Sequence, residues 1–217
     1  MKKNLTELVF ILDKSGSMGG LVSDTIGGFN AMLEKQQAVE GECHLTTVLF
    51  DDKYELLHDR FDIRGVRPIT TKEYYVGGST ALLDAIGITI EKIGNVQKHT
   101  AEAYRAEKVI FIIITDGLEN ASRSYSSERV KALIERQKSK YGWEFIFLGA
   151  NIDSVRTARS IGIQRDRTAD YVPDQQGTRL KYASVNNAVS EFREQSIISD
   201  EHLETLREDV KKRGNRK

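Results

Sequence analysis

One cysteine, two prolines, one tryptophan and no net charge in 217 residues narrow the field before any motif is read. The lone Cys43 excludes an intramolecular disulfide and fits a reducing compartment. It lies in the β-rich run 43–50 and reads as a small buried hydrophobe rather than a nucleophile. Lys and Arg number 32, Asp and Glu also 32, so no overall basic charge favours nucleic acid or a membrane surface. No apolar run approaches the roughly 20 residues that cross a bilayer. The run 8–12 is also too short for the core of a signal peptide, and residues 1–7 supply no further apolar stretch. The expected location is therefore cytoplasmic. His44, His58, His99 and His202 have no zinc-type spacing, and neither Gly-x-Ser-x-Gly nor a Walker A sequence occurs.

What is present is a soluble globular composition, 39% hydrophobic and 29% charged, in a chain long enough for one domain with an extension. Short apolar runs alternate with helical patterns. Residues 8–12 (Leu-Val-Phe-Ile-Leu) and 109–114 (Val-Ile-Phe-Ile-Ile-Ile) are apolar without alternation, as parallel strands covered on both faces are. Residues 43–50 and 143–149 read as two more strands, and 168–172 as a short last one. Residues 51–53 look like a hairpin turn, after which 54–63 alternates imperfectly, as an antiparallel edge strand would. Helical spacing is found over 21–37, 81–96, 127–141 and 182–195, and a charge-rich helical stretch over 201–213. Asp153 fits as N-cap of a short helix at 154–160 that Gly162 ends. Gly27 and Gly28 weaken the first helix, which implies close packing on the sheet in compensation. Pro173 and Gly177 bracket a linker, and the basic tail 211–217 reads as a solvated, disordered end. The pattern specifies an α/β fold: a Rossmann-like, doubly wound, mostly parallel sheet with one antiparallel edge strand and helices on both faces. The domain spans 1–174, and 175–217 forms a C-terminal helical extension.

The chemistry collects where strands end. Asp13, Ser15 and Ser17 follow the first strand at alternate positions. Thr80 follows the Gly77-Gly78-Ser79 loop, and Asp116 follows the most apolar strand. Each is also an ordinary loop or cap residue. In an open α/β sheet, however, such loops converge above the carboxyl ends of the strands, where ligands bind. Three hydroxyls and two carboxylates are hard oxygen donors suited to Mg2+ or Mn2+.

The set Asp13-x-Ser15-x-Ser17, Thr80 after Gly77-Gly78-Ser79, and Thr115-Asp116-Gly117 resembles the von Willebrand factor A (VWA) family. The likeness covers about residues 5–172 and is greatest to small bacterial members. It implies a metal-ion-dependent adhesion site (MIDAS). Ser15 and Ser17 would bind the ion directly. Thr80 would do so in the ligand-competent state, and Asp13 and Asp116 through water or by switching to direct contact. A partner protein's glutamate or aspartate would complete the shell. Ser79 stands where many relatives have glycine and could compete with Thr80. Lys14, Ser79, Glu119 and Asn120 would rim the site. The resemblance also implies a module without catalysis, in which engagement can shift the last helices. The rival reading is a metal-dependent phosphotransferase or phosphohydrolase of haloacid-dehalogenase-like type. There Asp13 would be the nucleophile and Asp116 with Glu119 the metal end, although Ser15 stands where such enzymes need an acid/base aspartate.

Overall fold

The computed structural model describes residues 1–214. Six strands form one sheet in the order β3-β2-β1-β4-β5-β6. They are β1 (Lys2–Asp13), β2 (Glu42–Phe50), β3 (Tyr54–Asp62), β4 (Ala106–Thr115), β5 (Glu144–Gly149) and β6 (Thr168–Asp170). All neighbours pair in parallel except β2 and β3, so the hairpin at 51–53 makes the one antiparallel edge. The helices are α1 (Val22–Ala38), α2 (Leu82–His99), α3 (Ser127–Tyr141), α4 (Ser154–Ser160), α5 (Gln175–Gln195) and α6 (Glu201–Arg213). A short 3-10 turn, Gly16–Leu21, joins β1 to α1. Among the described residues no helix is long and apolar enough to cross a membrane.

The two faces of the sheet explain the unbroken apolar strands. Leu8, Phe10 and Leu12 of β1, with Ile110, Ile112 and Ile114 of β4, pack beneath α1, α5 and α6. Val9, Ile11, Phe111 and Ile113 point the other way, toward α2, α3 and α4. With both faces dry, alternation between apolar and polar residues has no role. Trp143 joins the second face, stacked on Phe111 at 5.5 Å between centroids. Cys43 is buried, and burial pushes its thiol up to about 12.

The segment from 175 onward shares this core. Tyr182, Val185, Ala188, Val189 and Phe192 of α5 lie with Leu8 and Phe10, and Leu203 and Leu206 of α6 join them. Polar contacts reinforce the seam. Arg193 is buried, and its guanidinium donates to the carbonyls of Gln36, Val39 and Gly41, the groups left over where α1 ends. Arg207 of α6 donates to the carbonyls of Arg165 and Thr168 beside β6.

Several local expectations need correction. β1 begins at Lys2 rather than Leu8, because Leu5 and Thr6 already pair with Glu42 and Cys43. Gly177 does not bound a linker: α5 starts at Gln175 under the Asp174 cap, and Gly177 lies in its first turn. A side chain at Gly177 would strike the backbone of Val172. Gly28 packs against another helix rather than the sheet, and a Cβ there would enter the ring of Tyr182; Gly27 faces open space. Of the predicted loose tail, Lys211, Lys212 and Arg213 form the last turn of α6, where basic groups suit the helix dipole. Asn215, Arg216 and Lys217 lie outside the described residues.

Candidate metal centre

The strand order reverses direction at β1 and β4: the chain runs outward from β1 through β2 to β3, then returns to lay β4 on β1's other side. Ligand crevices form at the carboxyl ends of strands at such a switch point. Leu12 is in register with Ile114, which sets Asp13 beside Thr115. The loops that leave these strands carry the predicted donors.

Asp13 is buried and fixed on both oxygens. Oδ1 accepts from the Ser15 amide at 2.7 Å, and Oδ2 accepts from the Thr115 hydroxyl at 2.6 Å. Its carbonyl accepts from the Tyr74 hydroxyl, also at 2.6 Å. The Ser17 hydroxyl donates to Asp116 Oδ1 at 2.5 Å, and Ser15 Oγ lies 3.1 Å from Ser17 Oγ. Donors from β1 and β4 thus meet, although 99 residues separate Ser17 from Asp116. Gly117 leaves the room they share. A Cβ there would come within 3.1 Å of Thr80 Oγ1 and 3.5 Å of Ser17 Oγ.

The loop bearing Thr80 is pinned from three sides. Gly77 N donates to Lys14 O, Gly16 N to Gly78 O, and Ala81 N to Asp51 O. Thr80 is buried whereas Ser79 is exposed, so the threonine is the inward residue of the pair. Glu119 and Asn120 make hydrogen bonds within the protein. Glu119 accepts from the amides of Leu83, Ala121 and Ser122 and from the Ser122 hydroxyl. Asn120 Oδ1 accepts from Thr80 N. Lys14 is buried, its ammonium 2.7 Å from Glu55 and 4.2 Å from the centroid of the Tyr75 ring.

Burial pushes both aspartate carboxyls up from their ordinary values. Hydrogen bonds from Ser15 and Thr115 oppose this at Asp13, and the Ser17 hydroxyl opposes it at Asp116, where the charge of Asp13 adds to the rise. Two buried carboxylates, one of them raised further by the charge of the other, are stabilised by a nearby cation. No group of three His, Cys, Asp or Glu side chains suited to a metal exists among the described residues. The hydroxyl and carboxylate oxygens gathered here are of the kind that suits a hard divalent ion.

Three supporting residues had escaped assignment. Thr115 orients Asp13, and only its place inside the Thr-Asp-Gly triplet hinted at this. Tyr74 holds the carbonyl of Asp13 from a loop with no regular pattern. Asp84 accepts from the amides of Arg123, Ser124 and Tyr125, tying α2 to the loop after β4. In sequence it is simply an acid in a helix's first turn.

No family model and no curated protein matches the sequence. Solved structures do. Proximal thread matrix protein 1 from the mussel byssus, with a zinc-occupied MIDAS motif, is 14% identical with a TM-score of 0.58 over 85% of this chain and 46% of its own. The manganese-loaded TRAP protein of Plasmodium vivax is 16% identical, TM-score 0.56, over 83% of this chain and 73% of its own. A von Willebrand factor type A protein from Catenulispora acidiphila is 13% identical, TM-score 0.54, over 85% of this chain and 42% of its own. This chain spans less than half the length of two of these three proteins. It has the von Willebrand factor A fold.

Proposed function

We propose that this VWA-fold chain is a divalent-metal-dependent protein-binding module. Asp13, Ser15, Ser17, Thr80 and Asp116 hold Mg2+ or Mn2+, and an aspartate or glutamate of a partner protein completes the shell. The observation that carries the reading is the meeting of the Ser15 and Ser17 hydroxyls with the Asp116 carboxylate at the strand switch point. A bound divalent ion would supply a hard, electron-poor centre for an incoming carboxylate. The three hydroxyls are neutral, and with the two aspartates reaching the ion through water it would stay electron-poor enough to take an anionic oxygen from a partner. Asp13, held by Thr115 and the Ser15 amide, acts through its charge and by fixing the loop. The metal-bearing solved structures support the reading: zinc sits in the MIDAS of the byssus protein, and TRAP is manganese-loaded.

The same reading places the protein in the cytoplasm, on the strength of its single buried thiol, and assigns it no turnover. A phosphotransferase would need Glu119 at the metal, and that carboxylate is occupied by three amides and a hydroxyl.

Calorimetric titration with MgCl2 and MnCl2, wild type beside Ser15→Ala, tests the site. Binding in the wild type that is lost in a folded Ser15→Ala, together with partner capture that EDTA abolishes, is the expected result. Equal binding by both chains, or none by the wild type, overturns the assignment.

A further inference from the structure

Lys181, on α5, is completely buried, its ammonium included. The ammonium lies 4.1 Å from the ring centroid of Tyr171 and 5.0 Å from that of Tyr182. It has no hydrogen-bond partner, and the hydroxyls of Tyr171, Tyr182, Thr178 and Thr25 are likewise buried without one. Thr178 sits three residues before Lys181 on the same helix face, and Thr25 one turn from the Gly28 that abuts Tyr182. Tyr171 follows β6 at the carboxyl end of the sheet: its amide donates to Gly149 O, and the Ala150 amide donates to Thr115 O, the residue before Asp116. Tyr74, whose hydroxyl holds Asp13, belongs to the same core cluster as Tyr171 and Tyr182.

A lysine that only fills space keeps its head in water, and methionine would fill the same room without the cost of burying a charge. This one is closed in on all sides. Aromatic faces offset part of that cost. The acids whose charge acts on it are, in order, Asp116, Asp13 and Asp24. The first two are the carboxylates of the candidate metal centre. Burial drives the ammonium down to about 7, and those acids pull it up. Lys181 in turn draws Asp116 downward.

We propose that Lys181 is a resident counter-charge for the metal centre and sets how tightly the centre holds a divalent ion. The inference rests on the metal-binding reading above. Asp13 and Asp116 place two negative charges in a dry site. Lys181 compensates them in part, and a bound dication would compensate them as well. The two cations repel across the same carboxylates, so each weakens the hold on the other, and the coupling is reciprocal.

The test is manganese and magnesium titration of the full chain, wild type beside Lys181→Met and Lys181→Gln, with melting curves recorded with and without saturating metal. Both neutral variants are expected to bind manganese roughly tenfold more tightly than wild type, and their metal-induced rise in melting temperature is expected to exceed the wild-type rise. If a variant fails to fold alone, the inference requires manganese to restore its folding, because the ion replaces the missing positive charge. Affinity and thermal increment equal to wild type, or no rescue of an unfolded variant, overturns the inference and leaves the metal site standing. Metal binding by none of the three chains overturns both.

Discussion

Thr80 and Asn120 hold each other through two hydrogen bonds. The Asn120 side-chain oxygen accepts from Thr80 N at 2.9 Å, and Thr80 O accepts from Asn120 N at 3.0 Å. The third loop of the site is thereby fastened to the second, and Thr80 Oγ1 is held near Ser17 and Gly117.

This pairing separates positioning from coordination. Asn120→Ala removes one acceptor and is expected to cost about 1 kcal/mol of stability. It is also expected to weaken manganese binding by roughly tenfold, in proportion to the lost restraint on the loop. Thr80→Ala should abolish tight binding, and Ser79→Ala should leave it unchanged, since Ser79 is exposed. Calorimetric titration of the three variants distinguishes the roles. A larger loss at Ser79 than at Thr80 would reverse the assignment.

Glu7 makes stability pH-dependent at a place remote from the site. It is fully buried on β1, next to Arg60 at 2.8 Å. Burial outweighs the arginine and pushes its carboxyl from 4.5 to about 7. The folded state therefore holds this proton more tightly than the unfolded state does. The associated stability is fully present below pH 4.5 and is lost as pH rises through 7. The full swing is of order 3 kcal/mol. Urea unfolding of wild type and Glu7→Gln from pH 4 to pH 9 should show the wild type losing stability across that window and the variant flat through it. Parallel curves would show that folding leaves the proton affinity of Glu7 unchanged.

Adjacent glycines in α1 should respond in opposite directions to the same substitution. Gly27 faces open space, so Gly27→Ala is expected to stabilise by about 0.5–1 kcal/mol through helix propensity. At Gly28 a methyl would enter the ring of Tyr182, and overpacking of about 1–3 kcal/mol exceeds that gain. Denaturant melts of the two single variants measure the contrast. Equal stabilisation would mean that α1 and α5 separate without cost.

Much of the candidate site was legible because its oxygen donors stand in short local patterns. Asp13, Ser15 and Ser17 are spaced on one loop, and Thr115-Asp116-Gly117 closes an apolar strand. What could not be read was the work of the neighbours. Lys14, Glu119 and Asn120 looked like free rim groups, because a sequence does not show that Glu55, three amides and Thr80 N lie within reach of them. Gly177 and Pro173 looked like a linker, since the close approach of Val172, five residues back, depends on a backbone turn that composition does not show.

By itself the sequence determined the sheet, its parallel character and its single antiparallel edge. Hydrophobic periodicity and turn residues are local properties, and chain connectivity limits how such strands can be ordered. It also determined which oxygen donors the strand ends carry. Only the tertiary structure decided that these donors meet, that α5 and α6 complete the core, and that Lys181 is enclosed against Tyr171 and Tyr182. Those facts depend on contacts between residues far apart in the chain, which packing selects and no local pattern encodes.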